Sequence, residues 1–325
     1  MRKILSIFLV VLPLLSVAQF APPAGQEGTT AMHADSSAFV AWATGIEVVR
    51  GPMNIANPSL GNASFGTDIT VALGVPGGTM DVISLGDGGS ATLTFDSPIC
   101  NGPGPDFAVF ENGMANAQNT SMYFLELAFV EVSSDGKHFF RFPAVTNVPY
   151  DTQLGGFACI DPQQIHNLAS KYEAMYGTPF DLDEVPDNPQ LNKNRVTHVR
   201  LVDVVGNIDP EYATYDSQGH PVNDPWPTPF NSSGFDLDAV GVIHNLSTIG
   251  LYENPVAKRL VYPNPAVDQL VLDESVSEAT IYSMMGQKVL TSSQKRVDVS
   301  TLAPGVYVIH MMVEGNVVVN KFTKK

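Results

Sequence analysis

The chain has 325 residues, 44% of them hydrophobic, with 17 basic against 33 acidic side chains and a net charge of −16. That length suits one large and one small domain, and so acidic a chain repels nucleic-acid phosphates, which excludes a nucleic-acid partner. The charge is uneven: residues 19–258 hold 8 basic and 27 acidic groups, whereas 259–325 hold 7 and 6. An acidic body either suits divalent cations or keeps an exported protein soluble.

In chain order, Arg2 and Lys3 precede an apolar run, Ile4 to Leu15, and Ser16-Val17-Ala18 forms a small-x-small cleavage site. This predicts a secretory signal peptide over 1–18, too short to span a membrane. No later run reaches the roughly 18 apolar residues that a transmembrane span requires. Residues 19–38 read as a loose leader, Phe39 to Arg50 as either a short helix or a strand, and 51–68 as loop. From Met80 the period becomes two: Ala91, Leu93 and Phe95 share one face, and a turn-rich NGPGPD precedes a strand over Phe107–Asn112. Tyr123–Ser133 is a long apolar run that Ser134-Asp135-Gly136-Lys137 turns back over His138–Phe142, a hairpin.

Asp161-Pro162 predicts a helix over 162–176, with Asp161 as N-cap, an apolar stripe of Ile165, Leu168, Ala169, Tyr172 and Met175 or Tyr176, and Gly177 as its end. Val196–Val205 and Phe235–Ile243 are strands around a long loop, 206–234, and 251–259 is a linker. Pro263-Asn264-Pro265 then opens a module of about seven short strands, with turns at Met285-Gly286-Gln287 and Pro304-Gly305. The expected fold is all-β: a jelly-roll or β-sandwich main domain over 19–250 with one inserted helix, and a small Ig-like β-sandwich over 260–325.

Candidate chemistry is concentrated in acidic loops. FDLD occurs twice, at 180–183 and 235–238; in an extended chain Phe and Leu face one way and both aspartates the other. Asp106, Asp181, Asp203 and Asp236 are the candidate ligands of a calcium ion, which takes six to eight oxygens, with Asp209, Asp216, Asn223 and Asp224 available from the long loop. The alternative is that these aspartates cap turns. Asn223, Asp224, Trp226 and Phe230 combine rings with hydrogen-bonding groups, as a sugar or flat ligand needs; the alternative is that Trp226 packs its loop onto the sandwich. Cys100 and Cys159 either pair, as export permits, or remain separate buried thiols. GxSxG, HExxH and GKS/T are absent, and His138 and His198 fall within strands as structural histidines. Paired carboxylates such as Glu111 with Asp236 keep a polysaccharide hydrolase open as an alternative to binding, and a purely structural surface protein is a third reading.

Two resemblances sharpen this. YPNP, IYSMMGQKV, LAPGVYVI and KFTKK resemble, in order and spacing, the type A C-terminal sorting domain of the bacterial type IX secretion system. The resemblance places the sorting signal on Pro263, Asn264, Pro265, Gly286, Gly305, Tyr307 and Lys321. It implies the secretion machinery as partner, and export through the periplasm to the outer surface or medium. VEVSSDGKHFFRF, VTHVRLVDV and AVGVI are similar to the hairpin, penultimate and closing strands of discoidin-like, galactose-binding-type jelly rolls. GDGGSATLTF, GPGPDFAVFENG, YGTPFDL and SSGFDLDAVGVI together resemble a family of bacterial secreted or cell-surface proteins. The latter family carries no activity over; the jelly-roll resemblance makes a non-catalytic module that presents its long loops to a glycan or another ligand the leading expectation, with calcium from the acidic loops as a candidate support.

Overall fold

The computed structural model describes residues 20–249, 261–273, 275–284, 286–313 and 316–325. The expected signal peptide and linker lie outside them. The described residues fall into two compact units, divided between Leu246 and Ser247.

Seven strands carry the first unit: β1 (Gly45–Val49), β2 (Ser90–Ile99), β3 (Phe107–Glu111), β4 (Ala128–Ser133), β5 (Tyr176–Phe180), β6 (Val196–Asp203) and β7 (Asp236–Val242). One antiparallel sheet runs Met32–His33, β5, β3, β7, Ala41–Trp42, with Ile83–Ser84 also on β7; the other runs Phe140–Arg141, β4, β6, β2, β1, with Leu168–Ala169 also on β4. The sheets face each other across one core. Phe107, Val109, Phe180, Leu237, Val240 and Val242 come from the first, and Ala91, Leu93, Ala128, Val130, Val132, Val199 and Leu201 from the second. This alternation of inward residues on both layers is what makes an all-β sandwich. Phe107, Phe142 and Phe180 meet with ring centroids 5.1 to 5.9 Å apart, contacts worth about 0.5–1.5 kcal/mol each beyond their buried area.

Two bulges adjust the period. A register shift between Val196 and His198 brings Val196 into the core with Val199 and Leu201, which strict alternation would forbid. A second, between Leu237 and Ala239, sets Leu237 and Val240 on the same face. The segment 39–50 resolves as two strands in different sheets, Ala41–Trp42 and β1, with the chain crossing at buried Ala43.

The expected helix over 162–176 does not form. Asp161 does cap a turn, its carboxylate accepting from the Gln163 N–H, but the turn is a single 3₁₀ turn, Pro162–Gln164. Short strands Ile165–His166 and Leu168–Ala169 follow, and Asn167, Ser170 and Met175 take left-handed φ of 53° to 68°. Left-handed residues interrupt a right-handed helix. Tertiary contacts outweigh the local stripe: Ile165 and Leu168 join an outer apolar cluster with Leu125, Leu127 and Phe129, and buried Lys171 donates its Nζ to the carbonyls of Pro162 and Ile165, 2.6 Å each.

The second unit is also all-β. Lys288–Ser292, Val276–Ser283, Gly305–Val313 and Asn316–Lys324 form one sheet in that order, and Val261–Tyr262, Gln269–Leu272 and Arg296–Asp298 another. Their shared core includes Leu270, Ile281, Val297, Ile309 and Phe322. The Asn264 side chain ties the first strand to the last, donating to Lys321 O (3.1 Å) and accepting from the Thr323 N–H (2.9 Å). Tyr307 stacks on Phe322 at 5.6 Å and donates to Ala303 O, and Gly286 takes the φ of +78° that its turn demands.

Candidate functional site

Strand register gathers the chemistry at one end of the first unit. Leu237 pairs with Glu111, so the start of β7 lies beside the end of β3. Asp203 pairs with Ala128 and Val202 with Ser90, so the end of β6 lies beside the starts of β4 and β2. Six carboxylates converge there, all with 7% or less of their surface exposed: Asp87, Glu111, Glu126, Asp203, Asp224 and Asp236.

Most of them organise backbone. Asp203 accepts from the N–H groups of Gly88 (2.8 Å) and Phe235 (2.7 Å), clamping the β2 and β7 loops together. Asp224 accepts from the Leu127 N–H at 2.8 Å, and Asp87 from the Ile55 N–H (2.8 Å) and Trp226 Nε1 (3.0 Å). Asp236 accepts from the Ser84 hydroxyl and from Asn112 Nδ2 (3.0 Å). One Glu111 oxygen accepts from the Ser170 hydroxyl (2.6 Å) and the Gly113 N–H (2.7 Å), while its Oε1 is buried with no partner. Glu126 differs from all of these: it is 5% exposed, and no donor or cation among the described residues meets its carboxylate.

Burial governs the ionisation of the group. Desolvation, opposed by hydrogen bonds from Ser84 and Asn112, brings Asp236 up to about 6. Desolvation followed by repulsion from Asp236, Glu111, Asp224 and Asp203 holds the Glu126 carboxyl well above its ordinary range. Glu111, Asp203 and Asp224 are likewise pushed well up, chiefly by burial. Arg50 is the cation that acts on Asp236, and its guanidinium is bound to the carbonyls of Phe65, Ser84 and Gly66.

An aromatic shelf adjoins this acidic recess. Tyr123, Leu125 and Leu127 point into one apolar cluster, which leaves Phe124 and Glu126 together on the opposite side of an extended segment. Phe124 lies 6.4 Å from Phe157, and Phe157 lies 5.9 Å from Phe230, centroid to centroid. Phe157 is 77% exposed and Phe230 46%. Leaving two such rings in water forfeits burial worth about 1.5–3 kcal/mol for a fully buried ring. The loop carrying Phe157 is fixed from below: a Cβ at Gly156 would lie 2.2 Å from Pro227 O, and Trp226 N–H donates to Leu154 O at 3.4 Å.

Of the residues expected to bind a ligand, Phe230 lies on this shelf and Trp226 is half-buried, donating to Asp87. Asn223 and Asp224 are buried: Asn223 donates to the carbonyls of Pro149 and Thr152 and accepts from the Leu154 N–H. The four aspartates expected to hold calcium do not converge. Asp106 binds the N–H groups of Gly102 and Leu182 and the His244 ring, and Asp181 caps the turn at Leu182–Glu184, while Asp203 and Asp236 belong to the cluster above. Among the described residues no three Asp, Glu, His or Cys side chains are placed to hold a metal ion. The cysteines are unbridged: Cys100 is buried, its N–H donating to His244 O, and Cys159 lies 3.4 Å from Asn116 Nδ2. Glu111 and Asp236 do come within electrostatic reach, but Glu111 is sealed beneath Ser170 and Gly113. Glu126 and Phe157 escaped the sequence reading. The available signal for Glu126 was a lone carboxylate inside an otherwise apolar run, YFLELAFV.

Residues 260–325 match the family model described as the secretion system C-terminal sorting domain. This segment is the sorting domain of the type IX system. It directs the chain, through the secretion machinery, to the cell surface or the extracellular space. No curated protein matches the chain. Among the described residues no helix is long and apolar enough to cross a membrane.

Proposed function

We propose that the first unit is a non-catalytic carbohydrate-binding module that the sorting domain delivers to the outside of the cell. The carrying observation is the shelf of half-buried Phe124 and exposed Phe157 and Phe230 beside a carboxylate that no described donor meets. Ring faces stack against the C–H faces of sugars, and a carboxylate accepts from their hydroxyls, a division of labour found in ligand sites generally. The loops bearing the rings are braced by Asn223 and by the Gly156–Pro227 contact, so little ordering entropy is lost on binding. Backbone duties occupy most of the other acidic groups, which favours binding over hydrolysis.

A panel of oligosaccharides titrated against the full chain tests this. Binding to at least one member is expected, weakened tenfold or more by Phe157→Ala with no change in thermal midpoint. Failure of every oligosaccharide to bind refutes the reading, as does new reducing ends released by the wild type and abolished in Asp236→Asn.

A further inference from the structure

We propose that the glycan taken by this face carries free primary amines, an amino-sugar polymer whose ammonium groups pair with Glu126; this inference rests on the carbohydrate reading above. Glu126 is 5% exposed and its carboxylate meets no donor among the described residues, and Glu111, whose Oε1 is buried without a partner, lies within its electrostatic range. A buried carboxylate without donor or counter-charge is costly, and the site is completed by a ligand that brings both. An ammonium supplies a positive charge and three N–H donors. Phe124, on the same side of the chain as Glu126, offers it a ring face as well.

The cation is organic rather than metallic because of how the donors are placed. Calcium requires six to eight oxygens around one point, and the other carboxylates here are turned to backbone or side-chain donors: Asp203 to Gly88 and Phe235, Asp224 to Leu127, Asp236 to Ser84 and Asn112. No three of them are arranged to hold a metal ion. A single ammonium needs only the two free oxygen sites. The shelf supplies specificity for a ring-bearing ligand: Phe157 and Phe230 extend away from Phe124, so a sugar chain anchored by its amine at Glu126 would lie along them. Desolvation, then repulsion from Asp236, Glu111, Asp224 and Asp203, favours the protonated form of Glu126 in the free protein. An arriving ammonium favours the carboxylate, so binding draws protons off Glu126.

Calorimetric titration of the full chain with fully deacetylated chitopentaose, its N-acetylated counterpart, pentalysine and calcium chloride tests the proposal. The deacetylated oligomer is expected to bind at least tenfold more tightly than the N-acetylated one. Glu126→Gln, which keeps the shape, should remove that preference and leave the N-acetylated affinity unchanged. Proton release, read from enthalpies in two buffers of different ionisation heat, should vanish with it. Phe124→Leu, which keeps the carboxylate, should weaken both oligomers. Equal affinities for the two oligomers, or a Glu126→Gln variant that keeps the preference, overturns this inference and leaves the carbohydrate reading standing. Failure of both oligomers to bind the wild type overturns this inference, and the oligosaccharide panel decides the carbohydrate reading separately. Calcium binding that depends on Glu126 makes the occupant a metal, and pentalysine binding as tightly as the amino sugar removes the sugar assignment; either result overturns the proposal.

Discussion

The buried carboxylates make a signed prediction about stability. Asp236 titrates near 6 in the folded chain against 3.8 in an unfolded one. As pH rises through 3.8 the unfolded state gives up its proton while the folded state keeps it, so stability falls until the folded group ionises near 6. At ~1.36 kcal/mol per pH unit the full loss is roughly 3 kcal/mol, with roughly 2 kcal/mol of it between pH 4.5 and 7. Glu111, Glu126, Asp203 and Asp224 are shifted the same way and deepen the fall. Glu184, held low by His166, acts in the opposite direction at the acid edge of this window. The chain's two tryptophans, Trp42 and Trp226, both lie in the first unit, so their fluorescence in urea reports that unit without interference from the sorting domain. The midpoint should drop from pH 4.5 to 7 in the wild type. Asp236→Asn should flatten the profile by roughly 2 kcal/mol. Glu126→Gln, which has no hydrogen bond to lose, should be more stable than the wild type at pH 7. A midpoint that is flat or rises over that range, and is indifferent to both substitutions, refutes the upward shift that burial imposes on these carboxyls.

Three further outcomes follow from other parts of the fold. Glu131 is buried between Arg141 (2.8 Å) and Arg200 (2.5 Å), whose guanidiniums lie over Phe129 and Phe139; Glu131→Ala should cost about 2 kcal/mol by urea denaturation, reduced from the value for a fully buried pair because both arginines can rehydrate. Lys171→Met should cost about 1–3 kcal/mol by leaving the carbonyls of Pro162 and Ile165 unpaired, and a variant as stable as the wild type would show that water replaces the ammonium there. Deleting 260–325 should leave the first unit folded by tryptophan fluorescence but absent from surface and medium in fractionated cells; its arrival there would contradict the role of the tail.

The tail was legible because its information is local and contiguous. Pro263-Asn264-Pro265, the Gly286 turn and Tyr307 sit at fixed spacings, and the same residues make the contacts that close the small sandwich. The main strands were legible for a similar reason: alternation marks β2 and most of β6, and short runs rich in apolar residues mark the fully buried β3 and β7. The failures lie where distant chain decides. The 162–176 stripe has helical spacing, yet left-handed Asn167, Ser170 and Met175 and the outer cluster around Leu168 draw it into short strands. The aspartates were visible as an inventory, but whether Asp106 meets His244 or Asp203 meets Gly88 depends on loops 115 or more residues apart in sequence. Glu126 and Phe157, 31 positions apart, carry no shared motif, and Phe157 meets Phe124, two residues from Glu126, only through the tertiary fold. Sequence alone determined the address and the all-β class, since both follow from short-range pattern. Only the tertiary structure decided which carboxylate was left without a partner, because partnership is a property of loops meeting in space.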